Sequence, residues 1–139
     1  MGRVTTEILV ENLEDQWAVK RGLMPADQAR RVTVPDALVD TGATFLSLPA
    51  AMVATLGLAQ TKVRQVVTSV GPSALPVYEA VRLTIQGRDC LMQVLGVPDG
   101  VPPLVGQLPL EALDLVVNPQ GQELTGNPAH GGEWVLEAL

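Results

Sequence analysis

The sequence predicts a mainly β domain with two short helices. Three observations predict it. Short runs rich in Val, Leu, Ile and Thr recur along the 139 residues, each closed by Gly, Pro, Asn or Asp. Only residues 49–56 and 109–113 combine helix formers over more than one turn. Hydrophobic residues make up 47% of the chain but aromatics only 3%, so the core must be aliphatic. The length suits a single domain over residues 1–139, large enough for a sizeable core.

Val4 to Val10 alternates, with Val4, Thr6, Ile8 and Val10 on one side, as in a half-buried strand. Residues 11–30 are polar and mixed, with one helical turn expected at Pro25 to Ala29, Pro25 taking its first position. Val32 to Val34 reads as a strand broken at Pro35-Asp36, and Ala37 to Val39 as a second apolar run. Pro49 to Leu56 forms the first helix, with Gly57 placed to cap it. Val63 to Val70 is β-rich, Gly71-Pro72-Ser73 is a turn, and Leu75 to Ile85 resumes a period of two. Gln86 to Asp89 turns the chain back into a strand from Cys90 to Val97, ended by Pro98-Asp99-Gly100. Leu104-Val105-Gly106 is a short apolar segment, Pro109 to Leu113 the second helix, and Leu115 to Val117 a strand stopped by Asn118-Pro119. Gly126 to Gly132 reads as loop and Trp134 to Leu136 as a terminal strand. There is no internal repeat.

Charge narrows the function classes. The net charge is −6 and the basic residues are scattered apart from Arg30-Arg31, which argues against a nucleic-acid partner. Charged residues are only 17% of the chain, below the usual quarter, as expected when part of the surface is covered in an oligomer. One cysteine, Cys90, excludes an internal disulfide framework and fits a reducing, cytoplasmic setting. No signal peptide and no membrane-length apolar stretch is visible. Met1-Gly2 with Thr6 matches a myristoylation pattern too short to outweigh chance.

Asp40-Thr41-Gly42-Ala43 stands out behind Ala37-Leu38-Val39 and ahead of Phe45 to Pro49. A carboxylate at the end of a buried strand, followed by a small hydroxyl residue and a glycine, suits acid–base activation of water in a backbone-dense turn. Taken alone, Asp and Gly there are also ordinary turn residues. That chemistry needs two carboxylates, and the chain carries a single Asp-Thr-Gly, a count that hints at a dimer.

With a hairpin downstream, then Val81 to Gly87, then Leu104-Val105-Gly106 and a helix, the chain resembles the retropepsin-like aspartic proteases from about Val32 to Pro119. The resemblance implies a closed β-barrel of the acid-protease type, one half-site per subunit, with the termini Val4 to Val10 and Glu133 to Leu139 in a homodimer interface. It implies that Asp40 is catalytic and shares a proton with its mate, one carboxylate acting as base and the other as acid. Thr41 would donate across the dyad, Gly42 would admit the substrate backbone and Ala43 would keep the floor small. Ser69, Val70, Gly71, Pro72 and Ser73 correspond to the tip of a mobile flap, and Leu104, Val105 and Gly106 to a second apolar-Gly motif that lines or supports the site. The substrate would be a peptide or protein, and neither metal nor cofactor is needed.

Two departures from the family pattern are visible. Pro72 removes a backbone donor from the glycine-rich retroviral flap. An acidic residue and an arginine that pair in retroviral members are replaced together, by Thr44 or Phe45 and by Gln107. A non-catalytic peptide-binding module on the same fold is therefore the alternative, and an unrelated β protein with a chance Asp-Thr-Gly is a third.

Other candidates have simpler readings. His130 lacks a second histidine for a metal site and reads as a loop residue. Cys90 lies in a strand with no base beside it and reads as apolar filler. Trp17 and Trp134 read as packing residues, Trp134 being the better intersubunit candidate, and Glu111 and Asp114 as solvated helix residues.

Overall fold

The computed structural model describes residues 3–68 and 70–138. Nine strands and three α-helices follow in the order β1 (Thr5–Asn12), α1 (Leu13–Lys20), β2 (Arg31–Val39), β3 (Leu46–Pro49), α2 (Ala50–Leu56), β4 (Gln60–Thr68), β5 (Gly71–Ile85), β6 (Arg88–Val97), β7 (Leu104–Val105), α3 (Gln107–Leu113), β8 (Leu115–Asn118) and β9 (Glu123–Gly126). The main sheet runs β1-β2-β7-β3-β6-β5-β4, and a further β1–β5 pairing closes six of these strands into a barrel of the acid-protease type. β4 stays outside the closure, paired only along β5, and β8 and β9 form a separate hairpin.

Closure buries an aliphatic core. Ile8, Val10, Leu46, Leu48, Val81, Leu83, Val94 and Val105 are fully buried, as are Leu56 and Leu113 from the helices laid against the barrel. Each large aliphatic side chain removed from water contributes about 1.5–3 kcal/mol, so the scarcity of aromatics is no obstacle. β3 is buried at all four positions, because it runs inside the sheet, parallel to β6 and antiparallel to β7.

Several expectations are corrected. Among the described residues there are three α-helices, not two. α1 arises in the stretch expected to be irregular because Asn12 caps it: the Asn12 side chain accepts from the Asp15 amide at 2.9 Å. Asp15, buried, grips the Arg30 guanidinium at 2.8 and 3.0 Å and its amide at 2.9 Å. The Arg30 guanidinium holds the Asp15 carboxyl below its ordinary range. The expected turn near Pro25 is a 3₁₀ turn over Ala26–Gln28, with Pro25 preceding it. β2 is not broken at Pro35-Asp36. Its register with β1 shifts between Thr6 and Ile8, opposite those two residues, and such a bulge tolerates a residue without an N–H. No strand forms at Trp134 to Leu136. Among the described residues no helix is long and apolar enough to cross a membrane.

Asn12 is also bonded from its Nδ2 to the Leu56 carbonyl at 2.7 Å, tying β1, α1 and α2 at one buried point. Asn12→Ala is expected to destabilise the fold by about 2 kcal/mol, one cap and one buried acceptor lost together. Equilibrium urea unfolding would read this as a lowered midpoint at unchanged slope. An unchanged midpoint would show that the two bonds contribute nothing.

Candidate active site

The topology of β2, β7 and β3 makes the site. β7 lies between β2, parallel to it, and β3, antiparallel to it. The connection from β2 to β3 must therefore cross the end of β7, and that connection is Asp40 to Phe45. Its backbone is pinned on both sides. The Asp40 amide donates to the Val105 carbonyl at 3.0 Å, and the Gly106 amide to the Phe45 carbonyl at 2.9 Å. The Gln107 and Leu108 amides reach the Ala43 and Thr44 carbonyls at 2.8 and 3.0 Å. These bonds join the loop to α3 through backbone groups alone. The Gln107 side chain turns instead to Glu111, at 3.2 Å.

Gly106 is required by contact. A Cβ there would stand 2.6 Å from the Phe45 carbonyl oxygen, 2.7 Å from the Thr44 carbonyl carbon and 2.8 Å from the Ala43 carbonyl oxygen. Leu104, Val105 and Gly106 thus support the loop from behind and do not line the adjoining cavity.

Asp40 is solvent-exposed at the end of β2. Its Oδ1 accepts from the Gly42 amide at 2.9 Å, which fixes the carboxylate plane over the turn. Oδ2 has no hydrogen-bond partner among the described residues, and neither has the Thr41 hydroxyl. Gly42 needs no left-handed backbone, but a Cβ there would sit 3.2 Å from Asp40 Oδ1.

Beside this loop opens a cleft of about 520 Å³. One wall is Gly42 to Phe45, the other is the β4 segment Arg64 to Thr68, and Leu75, Leu95 and Val97 close the back. The β4–β5 hairpin overhangs it as a flap would. Thr68 and Gly71 are its last paired residues, while Pro72 and Ser73 already face Val67 and Val66 within the ladder. Gly71 has φ +115°, a conformation that favours glycine. Ser69 lies outside the described residues. The cleft wall is thus the shaft of the hairpin, and Arg64 to Thr68 are the site residues that sequence reasoning missed. Nothing in the local sequence marks them, since five consecutive β4 residues line the cleft and only the hairpin brings them there.

The remaining candidates sort clearly. Cys90 is half-buried against the core, and burial pushes its thiol up to about 11, with the Asp89 charge adding to the effect, so it stays protonated at neutral pH. Trp17 is 51% exposed on α1, outside the barrel, and is not a packing residue. Among the described residues no group of three or more His, Cys, Asp or Glu is placed to hold a metal.

Asp114 is not solvated. It is buried at the left-handed end of α3 and accepts from His130 Nδ1 at 2.6 Å, Asn127 Nδ2 at 3.1 Å and the Val135 amide at 3.2 Å. His130 therefore closes a tail latch, with Glu137 at 3.3 Å on its other nitrogen and the Trp134 indole donating to the Ala112 carbonyl at 3.2 Å. The hydrogen bond to Asp114 raises the His130 pKa above its ordinary 6.5, and the same bond lowers Asp114 below its ordinary 3.8. A raised histidine stabilises fully below 6.5 and loses its effect as pH rises through the folded value. A lowered carboxyl stabilises above 3.8 and loses its effect as pH falls through the folded value. The latch is therefore firmest between these limits. In a Trp17→Phe background, Trp134 emission should shift with a midpoint above pH 6.5, and His130→Gln should abolish the shift. Emission constant through that range would contradict the latch.

Residues 28–126 match the sequence model of the aspartyl protease family. No curated protein matches the chain closely enough to count as a relative.

Proposed function

Since the chain belongs to the aspartyl protease family, of the retropepsin-like kind, we propose that it is a homodimeric aspartic endopeptidase whose site is built from Asp40 of two copies. The observation that carries this reading is the Asp40 carboxylate. It is exposed, anchored through one oxygen and without a partner for the other among the described residues, on a braced loop whose next residues, Gly42 to Phe45, line a cleft of about 520 Å³, though Asp40 itself is not part of that lining. One copy supplies one such carboxylate, and water-mediated peptide hydrolysis needs a base and an acid together.

Two Asp40 groups brought face to face resist simultaneous ionisation and hold one proton between them. The ionised carboxylate takes a proton from the bridging water. The resulting hydroxide attacks the scissile carbonyl, and the protonated carboxyl of the second copy donates to the carbonyl oxygen. Collapse of the tetrahedral intermediate then expels the amine, which takes the proton that the base drew from water, while a hydroxyl of the intermediate returns its proton to the second carboxylate and so restores the singly protonated pair. The Thr41 hydroxyl, without a hydrogen-bond partner among the described residues, donates in this reading to the loop of the second copy. The hairpin shaft closes over the bound backbone and excludes water.

Cleavage of a diverse peptide library across acid to neutral pH, wild type beside Asp40→Asn, tests the reading. Cutting by wild type alone supports it, and equal cutting by both proteins overturns it. Peptides bound by both forms and cut by neither would assign the cleft to a binding module.

A further inference from the structure

Arg64 is the one charged side chain among the residues lining the cleft. It lies on β4, opposite Leu75 of β5. Its guanidinium carbon sits 5.6 Å from the centre of the Phe45 ring, a stacking contact across the cleft from hairpin to active loop. Arg30 is engaged with Asp15, Arg82 with Glu11 and Asp89, and Arg88 with three backbone carbonyls, whereas Arg3, Arg21 and Arg31 share with Arg64 the lack of a side-chain partner among the described residues but do not line the cleft. Among the described residues no carboxylate comes within 4.0 Å of Arg64. An exposed cation without a counter-ion among the described residues, in a chain of net charge −6 and held over an aromatic face on the wall of a cleft, is open to a ligand's carboxylate.

We propose that Arg64 sets substrate preference, selecting peptides with an Asp or Glu side chain at one position near the scissile bond. This rests on the endopeptidase reading of the same cleft. The apolar walls, Val66, Leu75 and Val97, receive the methylene part of the acidic side chain. The planar guanidinium, already oriented by Phe45, takes the carboxylate in a bidentate pair. Closure of the hairpin removes water from the pair and strengthens it over an exposed surface contact. The surrounding negative charge repels acidic peptides that do not place their carboxylate on Arg64, which sharpens the choice.

The test uses the full chain and a peptide cut by wild type, varied to Glu, Gln or Lys at each position flanking the bond. It is run at about pH 6, where peptide carboxylates are ionised. At one position wild type should favour Glu over Gln by about five- to tenfold in kcat/KM. Arg64→Gln should bring that ratio to about one, and Arg64→Glu should turn it towards Lys. A wild-type ratio of one at every position, or a preference unchanged in both variants, overturns the proposal. If no peptide is cut by any form, the endopeptidase reading fails on its own. Fluorescence anisotropy with the same labelled peptides then decides Arg64: tighter binding of the Glu peptide, lost in Arg64→Gln, upholds it. Equal binding, or none, overturns it.

Discussion

Asp40→Asn is expected to lower kcat for peptide hydrolysis by at least about 10⁴-fold, because in a homodimer it removes the base and the acid in one change. The substitution is nearly isosteric. Its amide oxygen still accepts from the Gly42 amide, the bond that now holds Asp40 Oδ1 at 2.9 Å, so the loop keeps its shape. What disappears is the ability to take a proton from water and to return one to the substrate. The like-charge repulsion between two facing carboxylates disappears with it, so self-association should be preserved or tightened. Sedimentation velocity beside a cleavage assay reads both effects. A variant that loses activity by dissociating or unfolding would place Asp40 in the scaffold and not in the chemistry.

The second large effect falls on a residue that touches no substrate. Gly106→Ala should destabilise the fold by about 3 kcal/mol and lower Tm by about 10 °C. The added methyl would press on the backbone at Ala43, Thr44 and Phe45, none of it a flexible side chain that could move aside. Relief requires lifting the loop, and lifting the loop breaks the Gly106 bond to Phe45 and strains the Asp40 bond to Val105. Activity should therefore fall further than stability alone explains, because the carboxylate loses its position as well. Differential scanning calorimetry with residual activity measured below Tm separates the two losses. Wild-type Tm and activity would mean that the loop does not rest on Gly106.

The parts of the fold legible in the sequence are those fixed by local chemistry. Gly57 ends α2 at φ +64°, where only a residue without a Cβ sits easily. Gln86 and Gly87, at φ +52° and +77°, make the two-residue turn that their place between alternating runs announces. The Asp40 turn is legible for the same reason, since strand, carboxylate and glycine are contiguous. The parts missed depend on distant partners. α1 has no apolar stripe and is held by Asn12 and by the pair of buried Asp15 with exposed Arg30, fifteen residues apart in sequence. Pro35 reads as a strand breaker until the β1–β2 bulge opposite it is known. Asp114 reads as solvated because the tail that buries it returns from about twenty residues further on. The cleft follows the same rule. Its floor is written in one stretch, Gly42 to Phe45, whereas its other wall, with Arg64, is brought there only by the hairpin.

The dependence of the site on two copies is open to a direct measurement. Wild-type and Asp40→Asn chains are refolded together at fixed total concentration and varied ratio, and peptide hydrolysis is followed. A site that needs Asp40 from both copies gives activity as the square of the wild-type fraction, about one quarter at an equal mixture. Activity falling in simple proportion, about one half at the same mixture, would contradict it and leave each chain acting alone.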